Sequence, residues 1–309
     1  MTKVFIDGSQ GTTGLRIFDR LSKREDIELI TLPEELRKDA LSRQEAINSS
    51  DITFLCLPDD AAIEAVRVAD SRVKILDTST AHRTNEQWIY GFPEVIKNGF
   101  EKIKNANRVA VPGCHASGFI ALVKPLVDAG VINKSSLLTC HSVTGYSGGG
   151  KKMIAEYENQ SRSFLLDAPR QYALSQQHKH LKEMTKISGI VDAPIFCPIV
   201  SDFYSGMCVT VPLFKAQLDK YADVNTIKEI YLERYTGPIV KFIEDFDEGG
   251  FISANGIKGK DGMQISVLGN DDRILLVARY DNLGKGASGA ALQCMNIMMG
   301  TDITNGLDL

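Results

Sequence analysis

Apolar positions follow two regimes along this chain. In the first third, short unbroken apolar runs at 4–8, 27–32, 51–57 and 73–77 alternate with stretches of helical spacing. The helical stretches are Leu15, Ile17, Phe18 and Leu21, then 40–48 and 61–69. Strand, helix, strand, helix, strand predicts a parallel sheet with right-handed crossovers, complete as one mononucleotide half by about residue 77. Ligands of such sheets bind beyond the carboxyl ends of the strands.

Beyond about residue 130 the pattern changes. Extended segments at 137–143, 194–200, 206–212, around Ile252, at 265–268 and at 273–278 are joined by short turns, with one helix at 225–235. This predicts a mostly antiparallel sheet in an α+β domain. Residues 145–152 read as a flexible, cationic glycine loop. A long apolar helix at 287–300, with small residues at its start, is expected to return to the first domain. The fold class is therefore α/β: an N-terminal Rossmann-type parallel sheet, 1–113 with 286–309, plus an α+β catalytic domain, 114–285.

Two punctuated turns carry chemistry. The first strand runs into Gly8-Ser-Gln-Gly-Thr-Thr-Gly14 and then a helix. Glycines there permit a tight turn and a close backbone approach to pyrophosphate, with N–H groups at the helix start on the phosphates. The expected cofactor residues are Gly8, Ser9, Gly11, Thr12, Thr13 and Gly14, with Pro58 after the third strand. The second strand lacks the carboxylate at its end that NAD sites use, and Arg37 and Lys38 lie close by. That suits the extra phosphate of NADP. The second turn is VAVPGCHASG at 109–118, a strand, a Pro-Gly turn, and a cysteine at the mouth of a helix. Cys114 there meets unpaired N–H groups and the positive end of the helix dipole, which favour thiolate.

Composition narrows the class. Net charge is −4, which argues against a nucleic-acid or anionic-membrane surface. No apolar run approaches membrane-spanning length, and the N-terminus enters a strand with no signal-peptide pattern. Six scattered cysteines, with no CxxC pair and no metal-ligand spacing, fit a reducing cytoplasm and predict no metal site.

Taken together, these motifs resemble the short form of the N-acetyl-γ-glutamyl-phosphate reductase family. The resemblance runs through FLCLP at 54–58, DTSTAHR at 77–83, YGFPE at 90–94, VPGC at 111–114, TGYSGGGK at 144–151, His178-Lys-His180 with Glu183, and DNLGKG at 281–286. It implies an NADP(H)-linked reduction of an acyl phosphate to an aldehyde in arginine biosynthesis, with a small-molecule substrate and a homodimer or homotetramer built through the second domain. It also implies Asn282 at the cofactor. Departures fall at His115, where longer members tend to have Tyr, and in the three consecutive glycines. His115 reads as a helix cap or a simply exposed residue, with tuning of the thiolate as the alternative.

Such chemistry needs a nucleophile, an acid–base group and cations. Cys114 is the nucleophile. His180 is the acid–base candidate, with Glu183 one turn on to orient the imidazole. His178, expected to face elsewhere on a helix, is kept as a substrate residue. Arg83, suited to a bidentate oxyanion contact, Ser147 and Lys151 complete the substrate set. Two alternatives stay open: another acyl-phosphate reductase such as aspartate-semialdehyde dehydrogenase, and an NADP-binding sensor that does no chemistry.

Overall fold

The computed structural model describes residues 1–245 and 247–309. In chain order the elements are β1 (Thr2–Asp7), α1 (Thr12–Leu21), β2 (Ile27–Ile30), α2 (Ala40–Ser49), β3 (Ile52–Leu55), α3 (Asp59–Val68), β4 (Lys74–Asp77), β5 (Ile89–Tyr90), α4 (Gly99–Lys104) and β6 (Arg108–Ala110). They continue with α5 (Cys114–Asp128), β7 (Thr139–Gly145), α6 (Gly150–Glu158), β8 (Arg170–Gln171), α7 (His180–Ser188), β9 (Ile195–Ser201) and β10 (Met207–Phe214). The chain ends with α8 (Val224–Arg234), β11 (Val240–Phe242), β12 (Met263–Gly269), β13 (Arg273–Tyr280) and α9 (Gly289–Met299). Two compact units result: Met1–Pro112 with Ala287–Leu307, and Gly113–Gly286 with Asp308–Leu309.

The first unit is a six-stranded parallel sheet in the order β2-β1-β3-β4-β6-β5. Period-two alternation sorts its side chains between two cores. Val4, Ile6, Phe54, Leu76 and Val109 pack with Ile17 and Leu21 of α1 and with the apolar length of α9. Phe5, Leu55, Ile75 and Ala110 pack on the opposite face with residues of α2 and α3. Burial on both faces explains why these strands read as continuous apolar runs. The expected return of the last helix is seen: α9 lies against β4 and α4, and Lys74 Nζ donates to Met298 O at its C-terminal end.

The second unit carries a seven-stranded sheet in the order β11-β12-β13-β10-β7-β9-β8. β7–β9 and β11–β12 are parallel and the remaining pairs are antiparallel. Helix α5 is buried over nearly all of its length and packs on β10 and β13. Pro125 inside it has no N–H to give Ala121 O, and Tyr235 of the α8 terminus donates its hydroxyl to that carbonyl instead.

Some expectations are corrected. Ile252 lies in irregular chain, and the edge strand is Val240–Phe242, paired with β12. Residues 146–149 form a 3-10 turn and α6 starts at Gly150, so Lys151 stands on a helix rather than in a flexible loop. Asp308 and Leu309, expected with the first unit, belong to the second, where Asp261 N–H donates to Asp308 O and Asp308 N–H to the Asp261 carboxylate.

Candidate active site

Within the first unit, the turn after β1 is built around glycine. Gly8 has φ +85°, and a Cβ there would sit 2.3 Å from Cys56 O. A Cβ on Gly14 would sit 2.5 Å from Gly8 O. Gly11, at the N-cap of α1, is different: a Cβ there would meet only ordinary contacts, so the fold itself does not require glycine. A ligand approaching that backbone does require it.

Beside this turn opens a cavity of about 830 Å³ lined by Gly8, Ser9, Thr31, Arg37, Lys38 and Arg43, among others. Pro58, the N-cap of α3, lines it as well, and Thr12 and Thr13 begin α1 at its side. Thr31 follows the end of β2, where an NAD site would carry its acid. Asp7 closes β1 and is buried, and an unpaired carboxylate there would repel phosphate. Arg43 neutralises it, with Nη2 2.8 Å from Oδ2. Arg43 was not legible in the sequence, because its partner lies in another element. The cradle and its cations fit an NADP(H) molecule.

Arg83 is buried, and its fork is turned to backbone: Nε donates to Val111 O at 2.9 Å and Nη2 to Thr78 O at 2.8 Å. It ties the segment after β4 to the end of β6. His82, on the same segment, bonds Asp77 at 2.6 Å and stacks on Trp88.

The second unit holds the cysteine centre. Cys114 is the first residue of α5, a helix of fifteen residues, and is half-buried. Three other thiols behave as packing groups. Burial pushes Cys56 up to about 12 and Cys208 up to about 11, and raises Cys140 further. Tyr280 Oη donates to Cys114 O and accepts from Gly118 N–H at 3.1 Å, bracing the first turn of α5. A Cβ on Gly286 would lie 3.1 Å from Cys114 Cβ, so that glycine leaves room against Cys114.

Glu183 and two histidines gather at the residues flanking Cys114: Glu183 at Gly113, His178 and His180 at His115. Glu183, in the first turn of α7, accepts Gly113 N–H at 2.8 Å, so its carboxylate grips the peptide just before Cys114. His178 does not face away from His180. It precedes α7, its Nδ1 accepts His180 N–H at 3.2 Å, and the two rings are 4.8 Å apart. Burial lowers the pKa of His178, and the Lys179 ammonium adds to this.

His115 departs most from expectation. It is neither a cap nor exposed: it is buried, with Nδ1 2.7 Å from Ser142 Oγ and Nε2 2.6 Å from Tyr172 Oη. Desolvation, aided by nearby His178, pushes its pKa down to about 3, so the ring is neutral. Its centroid lies 5.6 Å from His180 and 5.8 Å from His178. Tyr172 and Ser142 had no sequence signal, since they meet His115 only through the fold.

Ser147 is buried and accepts from Asn282 Nδ2 at 3.0 Å, while Asn282 Oδ1 accepts Gly206 N–H at 2.9 Å. Asn282, the residue expected at the cofactor, thus links Ser147 to the Gly206 backbone within the second unit. Lys151 is exposed on the first turn of α6. Among the described residues, no group of three or more His, Cys, Asp or Glu side chains is placed to hold a metal ion.

Comparison with known proteins follows the same division. Residues 33–106 match the semialdehyde dehydrogenase NAD binding domain and residues 114–282 the semialdehyde dehydrogenase dimerisation domain. N-acetyl-gamma-glutamyl-phosphate reductase 2 of Nostoc sp. is 46% identical over 311 residues, covering 96% of this chain and 97% of that protein. The N-acetyl-gamma-glutamyl-phosphate reductase of Sinorhizobium medicae is 44% identical over 306 residues, covering 96% and 98%. The fold is that of aspartate semialdehyde dehydrogenase II from Vibrio cholerae, solved in complex with ASA, with TM-score 0.74 at 17% identity over 97% of this chain and 98% of that one. The Candida albicans aspartate semialdehyde dehydrogenase, solved with NADP, superposes with TM-score 0.64 at 13% identity over 98% and 99%.

Proposed function

The chain belongs to the N-acetyl-gamma-glutamyl-phosphate reductase family, and from that premise we propose that Cys114 carries its chemistry through a thioester. The protein is an NADP-linked oxidoreductase of arginine biosynthesis. Its reaction converts N-acetyl-γ-glutamyl phosphate to N-acetylglutamate 5-semialdehyde and phosphate, reversibly.

The thiolate of Cys114 adds to the acyl carbon. An imidazole of the His178/His180 pair has taken the Cys114 thiol proton; the carbon–oxygen bond to phosphate breaks, and the leaving phosphate takes that proton from the imidazolium. NADPH, when bound at the glycine turn, supplies the hydride that reduces the thioester. The tetrahedral carbon then expels the Cys114 thiolate and leaves as aldehyde. Gly8, Ser9, Gly11 and Gly14 with the α1 start would hold the pyrophosphate, and Arg37 and Lys38 the extra phosphate of NADP. Glu183 and Tyr280 act on the backbone: one holds the peptide before Cys114, the other its carbonyl. Ser147 and Lys151 are assigned to the anionic end of the substrate. The observation that carries the reading is a half-buried cysteine at a helix start, with two imidazoles gathered around the residue next to it.

We assign a second copy of this chain to the open face of the second sheet. Alternation places Val143, Ile199 and Cys208 on that face in one row, by register, with exposed Ile195 and Leu275 nearby. No helix among the described residues is long and apolar enough to cross a membrane. Six free thiols support a cytoplasmic enzyme.

The test is the reverse reaction. Phosphate-dependent reduction of NADP with N-acetylglutamate semialdehyde, and little with aspartate semialdehyde, is expected. The opposite preference would reassign the substrate, and no phosphate dependence with either would remove the thioester mechanism.

A further inference from the structure

Between β8 and α7 the chain takes a costly path. Ala173 and Gln176 both adopt left-handed backbone, with φ 52° and 56°, a region that residues with a Cβ disfavour. The segment is nonetheless held at both ends. Tyr172 N–H donates to Pro198 O at 3.0 Å. The Gln176 amide then takes the place of a strand, with Nε2 on Phe196 O at 2.7 Å and Oε1 on Phe196 N–H at 2.9 Å. Such a fixed, strained segment between Tyr172 and His178 needs a reason, and the two side chains it presents supply one.

Tyr172 turns its hydroxyl to His115, which directly follows Cys114 in α5. The His115 ring is fixed from behind by Ser142 Oγ and from the side by Phe196, 5.3 Å away at 76°. It is neutral, so it has one N–H and one acceptor nitrogen. We assign the tautomer in which Ser142 donates to Nδ1 and His115 donates Nε2–H to the Tyr172 oxygen, which leaves the phenolic O–H to point onward. Burial raises the Tyr172 pKa, and a charge on Cys114 raises it further, so the group stays a phenol and feels that charge.

We propose that Tyr172 is a catalytic hydrogen-bond donor to the charge that develops at the Cys114 centre, and that His115 is the positioning residue that aims it. The proposal rests on the thioester reading above and deepens it. Around this centre Glu183 of α7 and Tyr280 of β13 hold the backbone on either side of Cys114, and His178 and His180 at the α7 start stand against His115 of α5. The donor meets the thiolate in the resting enzyme and the anionic oxygen once the acyl group is bound. No proton needs to leave Tyr172, so no relay is invoked. His115 acts only through Tyr172 and requires no charge.

Two readouts on the full chain test this: steady-state rates, and the pH profile of Cys114 alkylation by iodoacetamide without substrates. Tyr172→Phe removes the donor and keeps the ring. It is expected to move the alkylation inflection up by roughly one pH unit and to lower kcat by about 100-fold with little change in KM. His115→Ala should reproduce both effects and add little in the Tyr172→Phe background. His115→Gln, whose amide nitrogen reaches the place of Nε2, should restore most of the rate and the profile. An unchanged profile and rate in Tyr172→Phe would overturn the proposal, as would equal losses in His115→Gln and His115→Ala. Cys114→Ser separates the two levels: if it still turns over, the thioester reading fails, and if it is inactive while Tyr172→Phe is normal, only the Tyr172 assignment fails.

Discussion

Cys114 and His115 are adjacent residues with opposite burdens: the proposed mechanism asks the first to hold charge, and burial keeps the second from taking it. The His115 imidazole is sealed between Ser142 and Tyr172. Unfolded chains protonate such a ring as pH falls through about 6.5, whereas the folded protein refuses the proton until about 3. The unfolded state then binds more protons, so stability is whole above about pH 6.5 and declines below it, by up to roughly 1.4 kcal/mol per pH unit for one such group. Melting curves of the parent protein against His115→Gln should diverge as the pH drops below that point, the parent losing more; parallel curves would mean the ring is protonated in the fold. At the nucleotide cavity, Lys38→Ala is expected to raise the KM for NADPH roughly tenfold and to leave that for NADH nearly unchanged, as read by initial rates. Equal losses with both cofactors would show that Lys38 does not read the extra phosphate. Glycine made the cofactor turn legible, because Gly8 and Gly14 occupy positions where any Cβ collides with backbone. Arg43, Ser142 and Tyr172 were illegible for the converse reason: each is defined by a partner 27 to 57 positions away in the chain.

At the scale of elements, α5 is both core and scaffold for the nucleophile. Gly118 lets it approach β10 and β13 closely: a Cβ would fall 2.7 Å from Tyr280 Oη and from Val209 Cγ2. The displaced hydroxyl is the one that donates to Cys114 O. Gly118→Ala should therefore cost about 1–3 kcal/mol by overpacking, seen as a lower Tm, and disturb alkylation of Cys114 as well. A normal Tm would show that the helix shifts freely at that point. The elements of the parallel sheet were readable because both faces are buried, which writes each strand as an apolar run. β11 was not: Val240, Lys241 and Phe242 make a short edge strand with a charge at its middle, and Ile252 nearby offers a misleading apolar signal. Helical spacing does not govern His178, because α7 begins only at His180.

For the whole molecule, the fold is shared with enzymes at 13% to 17% identity, so the fold alone does not choose the substrate. Identity above 40% over nearly the full chain does place it in its family. Assembly is the property least visible in one chain. Light scattering after size exclusion should give a dimer or tetramer, and Val143→Glu, which puts a carboxylate in the centre of the open sheet face, should yield smaller species. Retained assembly in that variant would move the interface elsewhere. The central claim is the covalent step at one sulfur. Its most direct test is the intact mass of the protein mixed with N-acetyl-γ-glutamyl phosphate in the absence of NADPH. The mechanism predicts an N-acetylglutamyl adduct on Cys114, lost on adding NADPH and absent from Cys114→Ser; an unmodified protein, or an adduct that survives in Cys114→Ser, would contradict it.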